Sequence, residues 1–140
     1  MQLTKTASRL IRSARIAHLA TADASGMPHV IPICFVFDGK NFYSPIDEKP
    51  KRAAPRKLKR LRNIAVNPQV AIVIDHYDEN WANLAYILIR GKARVLASGA
   101  NHRKAVKLLR RKYTQYRSMR IDRLPIIAIR PARTTSWGAI

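Results

Sequence analysis

Apolar residues recur at alternate positions in the first third of this chain and predict three strands. The strands comprise residues 16–22, 29–37 and 40–44. Turn-forming residues follow the first strand, and Asp38-Gly39 between the second and the third is a strong hairpin signal. This order predicts an antiparallel meander of three strands.

Four further apolar segments predict the rest of the strands. They comprise residues 69–77, 85–96, 126–130 and 133–137. The first of these has apolar residues on both faces, so we expect it to be central in its sheet. Gly91 in the long strand indicates a bulge or a close approach of two backbones, and Pro131 is expected to separate the last two strands.

Apolar residues at helical spacing predict three helices. These comprise residues 3–14, 56–66 and 101–113, with Asn67-Pro68 ending the second and Asn101 capping the third. Strands dominate and are joined as hairpins, so we predict a mainly β fold: an antiparallel, closed or nearly closed barrel with peripheral helices. Residues 1–140 are expected to form a single domain, since no linker or repeat interrupts them.

The chain carries 27 Lys and Arg against 8 Asp and Glu, which gives a net charge of +19. This excess favours an anionic partner: a phosphate-bearing cofactor, nucleic acid or an acidic membrane face. Eight of the cations lie within residues 49–62, where a strand gives way to a helix. Cationic side chains and unpaired N–H groups at a helix start are suited to phosphate, so this segment is a candidate phosphate site. The alternative is that it forms a charged helix face that contacts only solvent.

A second basic cluster at residues 103–123 holds nine Lys and Arg, with Tyr113 and Tyr116 among them. Basic residues interleaved with aromatic ones are suited to single-stranded nucleic acid. The sequence motifs of helix-turn-helix, RNP and zinc-finger proteins are nevertheless absent. We therefore expect no specific nucleic-acid binding, although weak, salt-sensitive association is compatible with the charge.

The remaining reactive residues predict neither a metal site nor a nucleophile. Cys34 is the single cysteine, so no disulfide can form within the chain, and we interpret it as a small buried residue. The acidic residues around His76 lack the spacing of metal ligands. No apolar stretch is long enough to span a bilayer and no signal peptide is recognisable, so a cytoplasmic protein is expected.

A series of short motifs in a fixed order resembles one known family. The motifs lie at residues 17–32, 35–39, 42–44, 61–70 and 89–93. Together they resemble the flavin split-barrel superfamily, the pyridoxamine 5'-phosphate oxidase-like proteins. The segments 75–81 and 135–138 further resemble a subgroup assigned to the deazaflavin coenzyme F-420.

This resemblance implies a homodimer of split β-barrels, with two cofactor sites at the dimer interface and a small-molecule substrate. Carried over to this chain, the cofactor contacts fall on the second strand, the end of the third strand, the basic helix and two aromatic positions. The residues are His29, Val30, Ile31, Pro32, Ile33, Tyr43, Ser44, Lys57, Lys59, Arg60, Tyr86 and Trp137. Lys59 and Arg60 are expected to hold phosphate, with Lys57 and Lys51 as helpers.

Two departures from the family pattern affect the expected activity. Flavin-binding oxidases of this kind carry a glutamine where this chain has Tyr86, and the chain ends without their basic substrate-binding tail, so synthesis of pyridoxal phosphate is not expected. FMN and F-420 both bring phosphate, and F-420 adds an anionic glutamate tail. We therefore expect an oxidoreductase that uses F-420. The alternatives are FMN as the cofactor, or a non-catalytic flavin or deazaflavin carrier. No catalytic residue is assigned; Tyr86 and His76 are candidates for the proton donor.

Overall fold

The computed structural model describes residues 2–47 and 58–140. The helices are α1 (Lys5–Ser13), α2 (Lys59–Val66) and α3 (Ala100–Lys112). The strands are β1 (Ala17–Ala22), β2 (Pro28–Ile33), β3 (Val36–Phe37), β4 (Phe42–Pro45), β5 (Gln69–His76), β6 (Ala85–Leu96) and β7 (Ile126–Gly138). Single 3₁₀ turns occupy Trp81–Asn83, Thr114–Arg117 and Ile121–Arg123.

All seven strands belong to one antiparallel sheet in the order β2-β1-β5-β6-β7-β4-β3. Laid flat, seven strands would place β2 and β3 about 29 Å apart, at about 4.8 Å per step between strands. Only Cys34 and Phe35 connect these two edge strands, and three residue steps span at most about 11 Å. The sheet must therefore curl until its edges approach each other. The predicted mainly β split barrel is confirmed.

The predicted three-strand meander is wrong, because the strand expected at residues 29–37 is two strands. β2 pairs with β1, whereas β3 pairs with β4 at the opposite edge of the sheet. At the break, the N–H of Phe35 donates to the hydroxyl of Tyr113 (3.0 Å), and its carbonyl accepts from Lys112 Nζ (3.0 Å). Side chains at the end of α3 thus replace the strand partners of this backbone.

Pro131 does not interrupt the last strand, so the predicted separation there is wrong. Arg90 pairs with Arg133 and Gly91 pairs with Pro131, which leaves Ala132 as an extra residue in β7. This bulge lets a residue without an N–H group remain in the strand. The bulge predicted from Gly91 is confirmed, and so is the close approach, since a Cβ on Gly91 would collide with the carbonyl oxygen of Arg130.

The helix boundaries follow local capping. Thr4 caps α1, because its side chain accepts a hydrogen bond from the N–H of Ala7 at 3.0 Å. The predicted cap of α3 is wrong: the helix begins at Ala100, after Gly99 with φ +102°, so Asn101 lies within its first turn. Of the second predicted helix, residues 56 and 57 lie outside the described residues.

Two apolar clusters stabilise the barrel. The larger one fills its interior with side chains from the strands, α1 and α2. The smaller one lies between α3 and the outer face of the sheet at β3, β4 and β7, and Cys34 packs against it partly buried. No helix in the described ranges is long and apolar enough to cross a bilayer.

Replacing Gly91 by alanine should destabilise the fold by about 2–3 kcal/mol, the scale of overpacking, because the backbone of β7 must move away. Gly26→Ala is the control: Gly26 has φ +87° but open space around it, so only a conformational cost of about 1–2 kcal/mol is expected. Urea unfolding of both variants measures the difference. A loss for Gly91→Ala no larger than for Gly26→Ala would contradict the close approach.

Candidate functional site

Helix α2 is fixed against the β1–β2 hairpin by one buried polar contact. Asn63 Nδ2 donates to Thr21 Oγ1 at 3.0 Å, and both residues are buried. Buried polar side chains require such partners, so the bond selects one rotation of the helix. Leu61 and Ile64 enter the interior cluster beside it. The start of α2 is thereby brought to the turn end of the hairpin, next to Asp23.

This placement brings His29 of β2 close to the two cations at the start of α2. The pKa of His29 is lowered from its ordinary value by partial burial of the ring, and further by the positive charges of Arg60 and Lys59. The Nδ1 atom of His29 is buried and has no hydrogen-bond partner within the described residues. At neutral pH the imidazole is therefore uncharged, with one ring nitrogen unsatisfied.

Each of the two cations has an acidic neighbour. Lys59 Nζ lies 3.8 Å from Asp23 Oδ2, a loose contact between partly exposed groups. The Asp23 carboxylate is held within its own turn by the N–H and hydroxyl of Ser25 and the N–H of Met27, which lower its pKa. Lys59 is thus free to turn towards another anion at little cost.

The acidic neighbour of Arg60 is Asp47. Burial lowers the pKa of its guanidinium group, and the negative charge of Asp47 opposes that shift. Asp47 is itself buried and accepts a hydrogen bond from the hydroxyl of Tyr116 at 3.2 Å. An arginine keeps its charge under these conditions, so Arg60 presents a partly desolvated cation near a carboxylate.

The first turn of α2 adds backbone donors to these side chains. Its first intrahelical bond runs from the N–H of Arg62 to the carbonyl of Leu58, so the three preceding N–H groups have no partner within the helix. Leu58 makes no side-chain capping bond, and the first turn contains no acidic residue. Cations, free N–H groups and an unsatisfied imidazole nitrogen form an arrangement suited to an anion.

Tyr86 and Trp137 lie elsewhere, on the outer face of β6 and β7. They are directly opposite in the sheet, their rings stack 5.8 Å apart at 21°, and both are exposed. They line a shallow cavity of about 490 Å³. Its other lining residues are Val73, Asp75, His76, Tyr77, Leu84, Ala85 and Leu88. A planar ring could pack against this aromatic pair.

The other predicted residues do not join the cluster around His29. Alternation along β2 places Ile31 and Ile33 on the inner face, opposite Leu19 and Ala17, and leaves Val30 and Pro32 on the outer face. Tyr43 and Ser44 are buried and cannot contact a ligand at the surface. The Tyr43 ring is fully buried under α3 and the Ser44 side chain is buried on the opposite face. Lys51 and Lys57 lie outside the described residues.

Sequence reasoning missed three residues of this region. Asp23, Asp47 and Asn63 position the cations or the helix, yet none was singled out. Asn63 could have been identified from the sequence, because it lies on the apolar side of the predicted helix, where an asparagine requires a buried hydrogen bond. In the described ranges no group of three or more His, Cys, Asp or Glu could hold a metal ion.

The sequence matches the model of one protein family. A family model described as pyridoxamine 5'-phosphate oxidase matches residues 3–138. No curated protein sequence matches the chain.

Solved structures have the same fold at low identity. An F420 reductase is 21% identical, with a TM-score of 0.69 over 95% of this chain and 98% of that one. The heme storage protein HutZ from Vibrio cholerae is 16% identical, with a TM-score of 0.73 over 99% and 95%. A conserved hypothetical protein from Mycobacterium tuberculosis is 17% identical, with a TM-score of 0.78 over 99% and 86%. At these identities the similarity shows the fold alone.

The pKa of His29 should rise when an anion binds at the start of α2, because a negative charge offsets those of Arg60 and Lys59. NMR titration of the imidazole with and without inorganic phosphate measures the shift. Lys59→Gln should also raise the pKa, whereas Lys5→Gln, which removes a charge from α1, should not. An unchanged His29 pKa in phosphate would contradict the site.

Stability should depend on the protonation of His29 in a defined direction. Its pKa is lower in the folded than in the unfolded state, so the unfolded state binds the proton more readily. The free energy of unfolding should therefore decrease as pH falls below about 6.5, the ordinary histidine value. Urea unfolding across this range should give a shallower dependence for His29→Gln, and an equally steep one would contradict the buried neutral ring.

Proposed function

Because the chain belongs to the pyridoxamine 5'-phosphate oxidase family, whose model spans residues 3–138, we propose that it is an oxidoreductase that uses coenzyme F-420. When bound, the deazaflavin would supply a hydride to a small unsaturated molecule. The observation that carries this proposal is the meeting of His29, Lys59 and Arg60 at the start of α2. These groups provide the charge and the donors that a cofactor phosphate requires.

The residues of this chain fit an anionic cofactor better than a neutral one. Arg60 supplies a partly desolvated guanidinium, and Lys59 an ammonium whose only ion-pair partner in the described ranges is Asp23, at 3.8 Å. The unsatisfied Nδ1 of His29 can accept a hydrogen bond when neutral or donate one when protonated. FMN and F-420 both carry phosphate, so the choice between them rests on total charge. With +19 on the protein, the additional carboxylates of F-420 favour it.

The ring system of the cofactor would be held by a second set of residues. Tyr86 and Trp137 offer an exposed stacked pair beside a cavity of about 490 Å³. The resemblance to the family implies a homodimer with the cofactor at the interface, so the phosphate and the ring can contact different protomers. Val30 and Pro32, on the outer face of β2, would then pack against the ring or the partner.

The same fold is also found in proteins that are not named as enzymes, such as the heme storage protein HutZ. Binding and turnover must therefore be measured separately. A carrier would bind F-420 without oxidising it, whereas a reductase would convert its reduced form when an unsaturated acceptor is added.

Titration with F-420 and with FMN, followed by cofactor fluorescence, tests the proposal. Arg60→Ala should weaken binding of the preferred cofactor by about 1.5–3 kcal/mol, the value of hydrogen bonds to charged groups, or roughly 10- to 150-fold in dissociation constant. Arg62→Ala is the matched control. It removes the same charge from the same helix, but two residues further on the side chain points about 200° away.

Three results would count against the proposal. Equal losses in Arg60→Ala and Arg62→Ala would mean that only net charge matters. Tighter binding of FMN than of F-420 would make FMN the cofactor. Failure of both cofactors to bind would remove the oxidoreductase assignment.

A further inference from the structure

Five cations form a separate group on the outer face of β6 and β7. The register of the two strands places Arg90 opposite Arg133 and Lys92 opposite Arg130. Arg94 follows on the same face of β6, because side chains two residues apart lie on one side of a strand. All five side chains are exposed. We call Arg90, Lys92, Arg94, Arg130 and Arg133 the cation ladder.

The cation ladder is unfavourable for the isolated protein. Like charges directly opposite one another on neighbouring strands destabilise a sheet. None of the five side chains forms an ion pair or a hydrogen bond within residues 2–47 and 58–140. The repulsion is therefore uncompensated inside the described chain, and a bound polyanion would relieve it.

A cavity of about 290 Å³ lies at one end of the ladder. It is lined by Lys92, Arg94 and Arg130, together with Asn41, Ala93 and Ala128. Among the described residues, the lining contains three cations, one amide and no carboxylate. Such a lining offers hydrogen-bond donors on several sides and is suited to an anionic group.

The outer row of β6 continues from the cations to aromatic residues. Beyond Arg90 the same face carries Leu88 and then Tyr86, which stacks on Trp137 of β7. From Tyr86 to Arg94 the row is about 27 Å long, at about 3.4 Å per residue. Cations that follow a backbone, next to aromatic rings on which bases can stack, are the features of single-strand binding surfaces.

In the basic cluster at residues 103–123, by contrast, five of the nine cations are bonded within the fold. Lys104 pairs with Asp38, and Arg110 binds Asp122 and two backbone carbonyls. Lys112 donates to the carbonyl of Phe35. These cations stabilise α3 and the segment after it, so they are poor candidates for a polyanion site.

We propose that the cation ladder, with Tyr86 and Trp137, binds single-stranded nucleic acid without sequence preference. The ladder would contact the phosphates and the aromatic pair would stack on bases. The surface is a sheet face and not a projecting helix or ribbon, which favours a single strand over the groove of a duplex. A two-fold dimer centred on the ladder would face it with identical cations, so these five cations are expected to lie outside the dimer interface. Tyr86 and Trp137 are also the residues proposed above to hold the cofactor ring, so the strand and the cofactor would compete for this aromatic pair.

Fluorescence anisotropy with a labelled single strand of about 16 nucleotides, the upper end of known site sizes, tests the proposal over a series of salt concentrations. The triple variant R90Q/K92Q/R130Q should bind about tenfold more weakly or worse at low salt. Its plot of log affinity against log salt should be shallower by about 2, since each lost phosphate contact removes about 0.7. Its melting temperature should not fall, because like charges are removed.

The matched control is R103Q/K107Q/R111Q, which removes the same charge from exposed positions on α3. It should lose less affinity for the strand than the ladder variant. Equal losses would mean that binding depends only on the net charge of the protein, which would overturn the proposal. Trp137→Ala should weaken binding of the strand but not of inorganic polyphosphate. Equal binding of strand and polyphosphate by the unaltered protein, or tighter binding of a duplex, would also overturn it. If the triple variant does not fold, the single variants R90Q and R130Q replace it, and their affinity for the strand is compared with that of the single variant R103Q.

Two further measurements distinguish the cation ladder from the phosphate site at the start of α2, since the aromatic pair is common to both proposals. Arg60→Ala should leave the affinity for the strand unchanged, and the ladder variant should leave the phosphate-induced shift of the His29 pKa unchanged. Loss of strand binding in Arg60→Ala would place the nucleic acid at α2 and overturn the assignment to the ladder.

Discussion

The short connection between β2 and β3 determines the shape of this protein. Two residues join the opposite edges of a seven-stranded sheet, so the sheet cannot stay open. The hydroxyl of Tyr113 fixes the connection, since it accepts from the N–H of Phe35 and lies within 3.1 Å of the carbonyls of Arg15 and Phe35. Burial raises the pKa of Tyr113 to about 12. The phenol therefore stays neutral over the physiological range and can serve as both acceptor and donor.

Curling of the sheet separates two surfaces with different chemistry. The inner face packs on α1 and α2, and the first turn of α2, with Lys59 and Arg60 partly exposed, lies at the turn end of the β1–β2 hairpin. The outer face carries the cation ladder and the aromatic pair, apart from the region covered by α3. An anion at α2 would thus contact groups whose positions depend on buried bonds, such as that between Asn63 and Thr21. An anion at the ladder would contact mobile side chains on a rigid strand pair.

The sequence was informative where a local pattern decides the structure, and misleading where distant residues decide it. β6 and its bulge at Gly91 follow from alternation and one glycine, and the curled antiparallel barrel follows from the number of hairpins. The break at Phe35 could not be predicted, because it depends on Tyr113, 78 residues away. The continuity of β7 through Pro131 depends equally on the geometry of its partner strand. In the candidate site, Lys59 and Arg60 could be identified from the basic run. Asp47 could not, because its effect on Arg60 arises only when the fold brings the segment after β4 near α2.

Two groups among the 27 Lys and Arg residues relate to the fold in opposite ways. Lys104, Arg110 and Lys112 hold backbone carbonyls or carboxylates and replace strand or helix partners, so their charge serves the fold. Burial lowers the pKa of Lys112 to about 8, because desolvation disfavours the charged form of a lysine. The cation ladder has no comparable role in the described chain, and its cross-strand repulsion would be relieved by replacing either partner of a pair. The proposed polyanion would offset this repulsion and give the five cations a role that the described chain itself does not.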